Sequence, residues 1–214
     1  MKKDLQKYFI AFISIFFITF TFNIEAQNQS SDREVKKTNI KYKKARALQA
    51  STAKKMAQVY EALEVVDDKG EPDPDMETVL SILNELRRDM ANLKSYDRSV
   101  MWNAWAFVYF SDGKYDQAMD AYYNLINEPE VTIGLRVGAL LSLAQLHLVQ
   151  ENYKEGIELI LQWMNEVEKV TAQSYSLLGQ AYYQTGDFRK SLSSMETAVT
   201  CLLYTSDAAD DRYR

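Results

Sequence analysis

The chain has 214 residues, 47% of them apolar and 26% charged, and a formal net charge of −5; that balance is ordinary for a globular protein, and the length allows one or two domains. Residues 1–26 carry one net positive charge and residues 201–214 one net negative charge, so the stretch between them keeps −5, which argues against a general nucleic-acid binder. Glycine (7) and proline (3) are scarce, which excludes a loop-rich or all-β protein.

Lys2, Lys3 and Lys7 precede an apolar run from Tyr8 to Phe22, and Ala26 offers a small residue before Gln27. A positive start, a short apolar core and a tolerable cleavage site describe a secretory signal peptide over 1–26. Fifteen apolar residues are short for a membrane span, which needs about 20. The alternative is an inner-membrane anchor over residues 8–22, because Glu25 is awkward beside a cleavage site and a basic stretch follows. The expected location is periplasmic after cleavage. Residues 27–41 are polar and charged and read as a flexible spacer. Asn28-Gln29-Ser30 fits a glycosylation sequon, but so short a match arises often by chance.

From Tyr42 onward Leu48, Thr52, Met56, Val59, Leu63 and Val66 recur every three or four residues, the spacing of an amphipathic helix. Gly70 and the Pro72/Pro74 pair end it, and Asp75 is placed to cap the next helix. Val79, Leu80, Leu83, Leu86, Met90 and Leu93 then share one helical face. Residues 42–97 thus form a degenerate hairpin that caps whatever follows.

Three copies of one pattern come next. The first runs Trp102, Trp105, Ala106, Tyr109, Gly113, Tyr115, Ala118, Tyr122, Leu125. The second, the weakest, runs Leu140, Leu143, Ala144, His147, Glu151, Tyr153, Gly156, Ile160, Trp163. The third runs Tyr175, Leu178, Gly179, Tyr182, Gly186, Phe188, Ser191, Met195, Ala198. Tyr115, Tyr153 and Phe188 are 38 and 35 residues apart, near the ~34-residue period of the tetratricopeptide repeat, whose W-x2-L-G-x2-Y pattern these copies resemble. The resemblance implies an all-α fold, an α-solenoid of stacked antiparallel hairpins over 99–132, 137–170 and 172–200. Small residues at 106, 144 and 179 let two helices approach, and Gly113 and Gly186 sit where a left-handed turn suits glycine. Gly156 stands where the pattern normally has alanine. Each hairpin has apolar surface on both sides and must stack on a neighbour.

Cys201 to Asp210 reads as the conceptual translation of a transposase-based sequencing adapter in register. Residues 201–214 are therefore set aside from the fold, and the single cysteine with them.

Sites of chemistry are absent from this reading. His147, the only histidine, occupies the place of Tyr109 and Tyr182 and reads as packing, since zinc sites need several His or Cys ligands. Asp67, Asp68, Asp73 and Asp75 lack the order of a calcium loop. No phosphate loop, nucleophile elbow or H-E-x-x-H pattern occurs. The expectation is a protein without catalytic residue, metal, cofactor or small-molecule substrate. Residues Lys36 to Lys55 are open to two readings, weak attraction to an anionic membrane surface or a solvated helix face; the second is preferred. In tetratricopeptide repeats the first-helix positions that face the groove correspond to Asn103, Phe107 and Phe110, then Leu141, Gln145 and Leu148, then Ser176, Gln180 and Tyr183. This set mixes aromatics, aliphatics and amides without a Lys/Arg clamp, which suits an apolar or extended peptide or a helix.

Two blocks are more specific, 98–109 (Arg98 to Tyr109) and 134–146 with Glu151-Asn152-Tyr153. With Leu178 to Tyr183 they resemble the tetratricopeptide proteins that accompany TonB–ExbB–ExbD energy-transduction systems of Gram-negative bacteria. That resemblance implies an exported scaffold that aids uptake through protein contacts. The alternative is an exported assembly factor for outer-membrane or cell-envelope proteins.

Overall fold

The structure is a computed structural model that describes the backbone of residues 47–210 and the side chains of 47–203. The expected signal peptide, the anchor alternative, the spacer and the basic residues before Ala47 lie outside the described residues. Eight α-helices occur among those described: α1 (Ala50–Leu63), α2 (Met76–Arg88), α3 (Ser95–Ser111), α4 (Tyr115–Ile126), α5 (Ile133–Val149), α6 (Tyr153–Glu166), α7 (Ala172–Gln184) and α8 (Phe188–Asp210). They pair as consecutive hairpins, α1 with α2, α3 with α4, α5 with α6 and α7 with α8. Each hairpin packs on the next through α2 on α3, α4 on α5 and α6 on α7. The protein is an all-α solenoid of helical hairpins, and none of the described helices is long and apolar enough to cross a membrane.

α1 buries Thr52, Met56, Val59 and Ala62. The helix is shorter than its periodicity predicts. Leu48 precedes it, and Val66 falls beyond its end, exposed in a bridge with Pro72. The intervening loop is built on Asp67, whose Oδ1 accepts from the backbone N–H of Lys69 and Glu71 at 2.8 and 2.9 Å. Gly70 turns the loop at φ +80°. Asp75 caps α2 by accepting from the Thr78 N–H at 3.0 Å, and the side chain of Thr78 first, with that N–H second, holds its carboxyl below the usual range. α2 buries Val79, Leu83 and Leu86, whereas Leu80 is exposed and Met90 belongs to a separate 3-10 turn, Met90–Asn92.

The first hairpin is tied to the second by a buried carboxylate. Asp97 in the first turn of α3 accepts from the backbone N–H of Gln49, the residue that starts α1, at 2.9 Å. Negative charge at a helix N-terminus is favourable. Gln49 in turn accepts from the Lys94 N–H at 3.2 Å.

The three hairpins that follow close in the same way. The N–H of Gly113 and Lys114 reach the carbonyls of Phe110 and Tyr109, those of Glu151 and Asn152 reach Leu148 and His147, and those of Gly186 and Asp187 reach Tyr183 and Tyr182. This is the Schellman arrangement, and its central residue is left-handed. Gly113 and Gly186 take φ +71° and +79°, and Glu151 takes φ +63° at the same place.

α3 and α5 begin at Ser95 and Ile133, four residues before the expected starts of 99 and 137, whereas α7 begins at Ala172 as the spacing indicates. The added turn carries an arginine in each case. Arg98 grips Glu128 through Nε and Nη2, both at 2.7 Å, and its Nη1 donates to the Leu93 carbonyl at 2.7 Å. Arg136 grips Glu166 at 2.7 and 3.0 Å and donates to the Ile126 carbonyl at 2.6 Å. Both forks are bidentate, the stronger form of charged hydrogen bond. Each closes the open end of its hairpin. In the third hairpin the equivalent positions hold Thr171, which caps α7, and Cys201.

The core runs along the hairpin seams. Trp105, Ala106, Tyr122 and Leu125 fill the first, and Leu140, Leu143, Ala144 and Ile160 the second. Gly156 has a local cause. A Cβ there would lie 2.6 Å from Leu148 Cδ2 and 3.3 Å from the Ala144 carbonyl oxygen. Gly179 meets Met195 atoms at 3.0 Å in the same sense.

Candidate functional site

The nine residues assigned to the groove sit on the first helix of each hairpin, three on α3, three on α5 and three on α7. None belongs to the buried core. Asn103, Phe107, Phe110, Leu141, Gln145, Leu148 and Ser176 are half-buried, and Gln180 and Tyr183 are exposed. Their neighbours one position away, Trp102, Ala104, Ala106 and Val108, are buried. That contrast follows from the 100° step between helical residues. α3 and α5 also approach each other directly, so the first two trios stand on touching helices.

The last member of each trio is braced by its own hairpin. The Phe110 ring lies 5.8 Å from that of Tyr115, and Tyr183 meets Phe188 edge-on at 5.5 Å. Leu148 rests against Gly156 at the matching level. The Tyr183–Phe188 pair is the most open, at 62% and 63% exposure. Aromatic pairs at these separations are mutually favourable, so each ring is braced by its partner. Ser176 is turned inward, with Oγ 3.9 Å from Met195 Sδ.

Two polar features adjoin this surface and were not anticipated as such. His147 is buried on α5, and its Nε2 lies 3.0 Å from the Tyr123 hydroxyl of α4. The two rings meet edge-on at 6.1 Å. Burial lowers the imidazole pKa, and Glu155 opposes that shift. His147 therefore packs, as its register indicates, and also bridges two hairpins through a hydrogen bond. Arg87 of α2 places its guanidinium carbon 5.6 Å from the ring centroids of both Trp102 and Trp105 and donates to the Tyr109 hydroxyl at 3.1 Å. Trp105 and Tyr109 stack at 5.0 Å. A cation over an indole face is attracted by the ring quadrupole. These contacts give Trp102, Trp105 and Tyr109 of α3 a packing role between hairpins. An open cleft of about 320 Å³ lies beside it, lined by Arg87, Trp102, Tyr109, Gln117, Asp120 and Asn124 among others.

The two arginine forks had a trace in the sequence. Arg98 and Glu128, and Arg136 and Glu166, are each 30 residues apart, a coincidence that the repeat register makes meaningful. The pairing of Arg87 with Trp102 has no such trace, because nothing in the spacing fixes how α2 meets α3.

No protein-family model and no curated protein matches the chain. Among solved structures, the crystal structure of BtubC (BKLC) from P. vanneervenii is similar, with a TM-score of 0.53 and 13% identity over 73% of this chain and 75% of that one. A likeness at that identity concerns the fold alone.

Proposed function

We propose that this chain is a non-enzymatic protein-interaction scaffold of the tetratricopeptide type, and that the open face of α3, α5 and α7 receives an apolar segment of a partner protein. The observation that carries the reading is the recurrence of braced, partly open side chains at one register. Phe110, Leu148 and Tyr183 share one register in three successive hairpins and rest on Tyr115, Gly156 and Phe188 respectively. Pre-positioned aromatic rings lose little freedom on binding, which favours recognition. The nine residues include three aromatics, two leucines, three amides and a serine. That chemistry fits an apolar helix or an extended peptide better than an acidic tail.

The finer reading is an exported protein, periplasmic or held at the inner membrane, that serves as an accessory to a TonB–ExbB–ExbD system. Its support is the resemblance of 98–109, 134–146 and 178–183 to the tetratricopeptide proteins of such systems. The test has two parts. A photo-crosslinking residue at Gln180 in cells should capture a component of the TonB system, and Phe107→Ala, Phe110→Ala and Tyr183→Ala together should abolish capture while helicity by circular dichroism is kept. Undiminished capture by the triple variant sinks the groove. Deletion should abolish siderophore-dependent growth with outer-membrane protein levels intact. The opposite pattern, altered outer-membrane proteins with iron uptake intact, assigns the chain to envelope assembly and removes the TonB reading.

A further inference from the structure

The first two junctions between hairpins make one contact with different chemistry. Arg87 of α2 meets the Tyr109 hydroxyl at 3.1 Å, and Tyr123 of α4 meets His147, at the same register of the next hairpin, at 3.0 Å. Burial keeps His147 toward its neutral form, so the second contact leaves no charge over. The first does, because a phenol does not neutralise a guanidinium. Arg98 and Arg136 are each forked on a glutamate, whereas Arg87 has no carboxylate at salt-bridge distance among the described residues. One of its five N–H donors goes to Tyr109, and Trp102 and Trp105 hold the group in place from 5.6 Å. Arg87 borders the cleft of about 320 Å³ together with Trp102, Tyr109, Gln117, Asp120 and Asn124. Residues 117, 120 and 124 share one face of α4. Asp120 is exposed, and it too has no ion-pair partner among the described residues. A guanidinium and a carboxylate thus border one cleft without meeting.

We propose that this cleft receives an extended peptide segment of a partner protein that carries one acidic and one basic side chain. The acid pairs with Arg87 and the base with Asp120, while the amides of Gln117 and Asn124 bond the peptide backbone. Charge complementarity selects that occupant. A run of acids is repelled by Asp120, and a run of bases by Arg87. Size and lining select against a small molecule. Such pockets span roughly 300–1,000 Å³, are mostly apolar and enclose their ligand, whereas this cleft lies at the lower end, is open and is edged by charges and amides. The site is separate from the groove of α3, α5 and α7. Trp102 and Tyr109 share a helical face that lies about a third of a turn from that of Asn103, Phe107 and Phe110. The two surfaces therefore stand or fall independently.

The probes are end-blocked glycine and alanine peptides with one Glu and one Lys, either adjacent or separated by one or two residues. Binding is read by NMR from the Trp102 indole N–H and the Arg87 Nε–H. One spacing should bind best. Exchanging its Glu or its Lys for Gln should weaken binding roughly tenfold to a hundredfold, the worth of a charge-assisted hydrogen bond. Asp120→Asn should abolish the dependence on the peptide's Lys, and Arg87→Gln the dependence on its Glu. Asp120→Lys should transfer the preference to a peptide with two Glu. Asp120 is exposed, so its variants carry the test where Arg87→Gln disturbs the packing of α2 on α3. The proposal is overturned if no peptide of the set moves either signal at about 10 mM, a level that would detect even very weak binding. It is equally overturned if binding is indifferent both to Asp120→Asn and to loss of the peptide's Lys, or if acetate alone binds as tightly as the best peptide. Arg87 then holds a simple anion and the cleft does not read a pair of charges.

Discussion

Glu151 holds a left-handed backbone at φ +63° where the hairpins before and after it use glycine at φ +71° and +79°. For an L-residue with a Cβ that conformation costs roughly 1–2 kcal/mol. Glycine escapes the cost but loses more freedom on folding, worth roughly 0.5–1 kcal/mol. The difference predicts that Glu151→Gly stabilises the protein by about 0.5–1 kcal/mol. At about 2–4 °C per kcal/mol for a chain of this size, the Tm should rise by roughly 1–4 °C. Gly113→Ala and Gly186→Ala supply the reverse experiment. A Cβ at either position meets no atom within 4 Å, so any loss comes from the backbone alone, and about 1 kcal/mol is expected. Urea unfolding followed by circular dichroism gives both quantities, with an unchanged m-value as the check that only stability has moved. If Glu151→Gly gives no gain and Gly113→Ala costs nothing, left-handed strain does not distinguish these turns and the reasoning fails.

Arg136→Ala should destabilise the chain by about 1–2 kcal/mol, because it strips a half-buried fork from Glu166 and a donor from the Ile126 carbonyl; Arg136→Lys should restore little, since an ammonium cannot make the fork. The Arg136 hydrogen bond holds the Glu166 carboxyl below its ordinary value, so its stabilising contribution is full above the unfolded pKa of about 4.3 and is lost as pH falls through the lower folded value. Denaturant midpoints measured from pH 6 to pH 3 should therefore fall less for Glu166→Gln than for the parent, and an equal fall would refute the assignment. Gly156→Ala should cost about 1 kcal/mol in spite of alanine's better helix propensity, because its Cβ crowds Leu148 and the Ala144 carbonyl. Adding Leu148→Ala should make the Gly156→Ala step close to neutral in a double-mutant cycle, and an additive result would show that the crowding is not felt.

Most of the hairpin architecture was legible because small and large residues recur at one spacing, and a helix that must stack on both sides leaves few other patterns. The details that escaped are those a local pattern does not encode. Val66 continues the periodicity of α1 but lies beyond the point where the backbone turns toward Pro72, since a spacing rule does not mark the last helical residue. The added first turns of α3 and α5 were hidden because their signal is an ion pair between residues 30 apart, not a run of apolar positions. Glu151 could be recognised as left-handed only by setting its copy against Gly113 and Gly186. At the candidate groove, the nine positions came from the register of the repeat the chain resembles, and all nine lie outside the buried core. That Phe110 and Tyr183 would lean on Tyr115 and Phe188, and that Ser176 would turn toward Met195, depends on side-chain torsions that no spacing rule fixes.

The two arginine forks distribute mechanical resistance unevenly along the array. Arg136 joins three helices at once, reaching from α5 to Glu166 at the end of α6 and to the last carbonyl of α4. Arg98 anchors α3 to Glu128 beyond α4 and to the segment that follows α2. α7 has no counterpart at Thr171. Under tension such an array yields first at the α6–α7 junction, where no fork ties one hairpin to the next, while the hairpins between Ser95 and Glu166 stay locked. An array built this way gives ground at one junction under load and keeps the hairpins held by the forks in register.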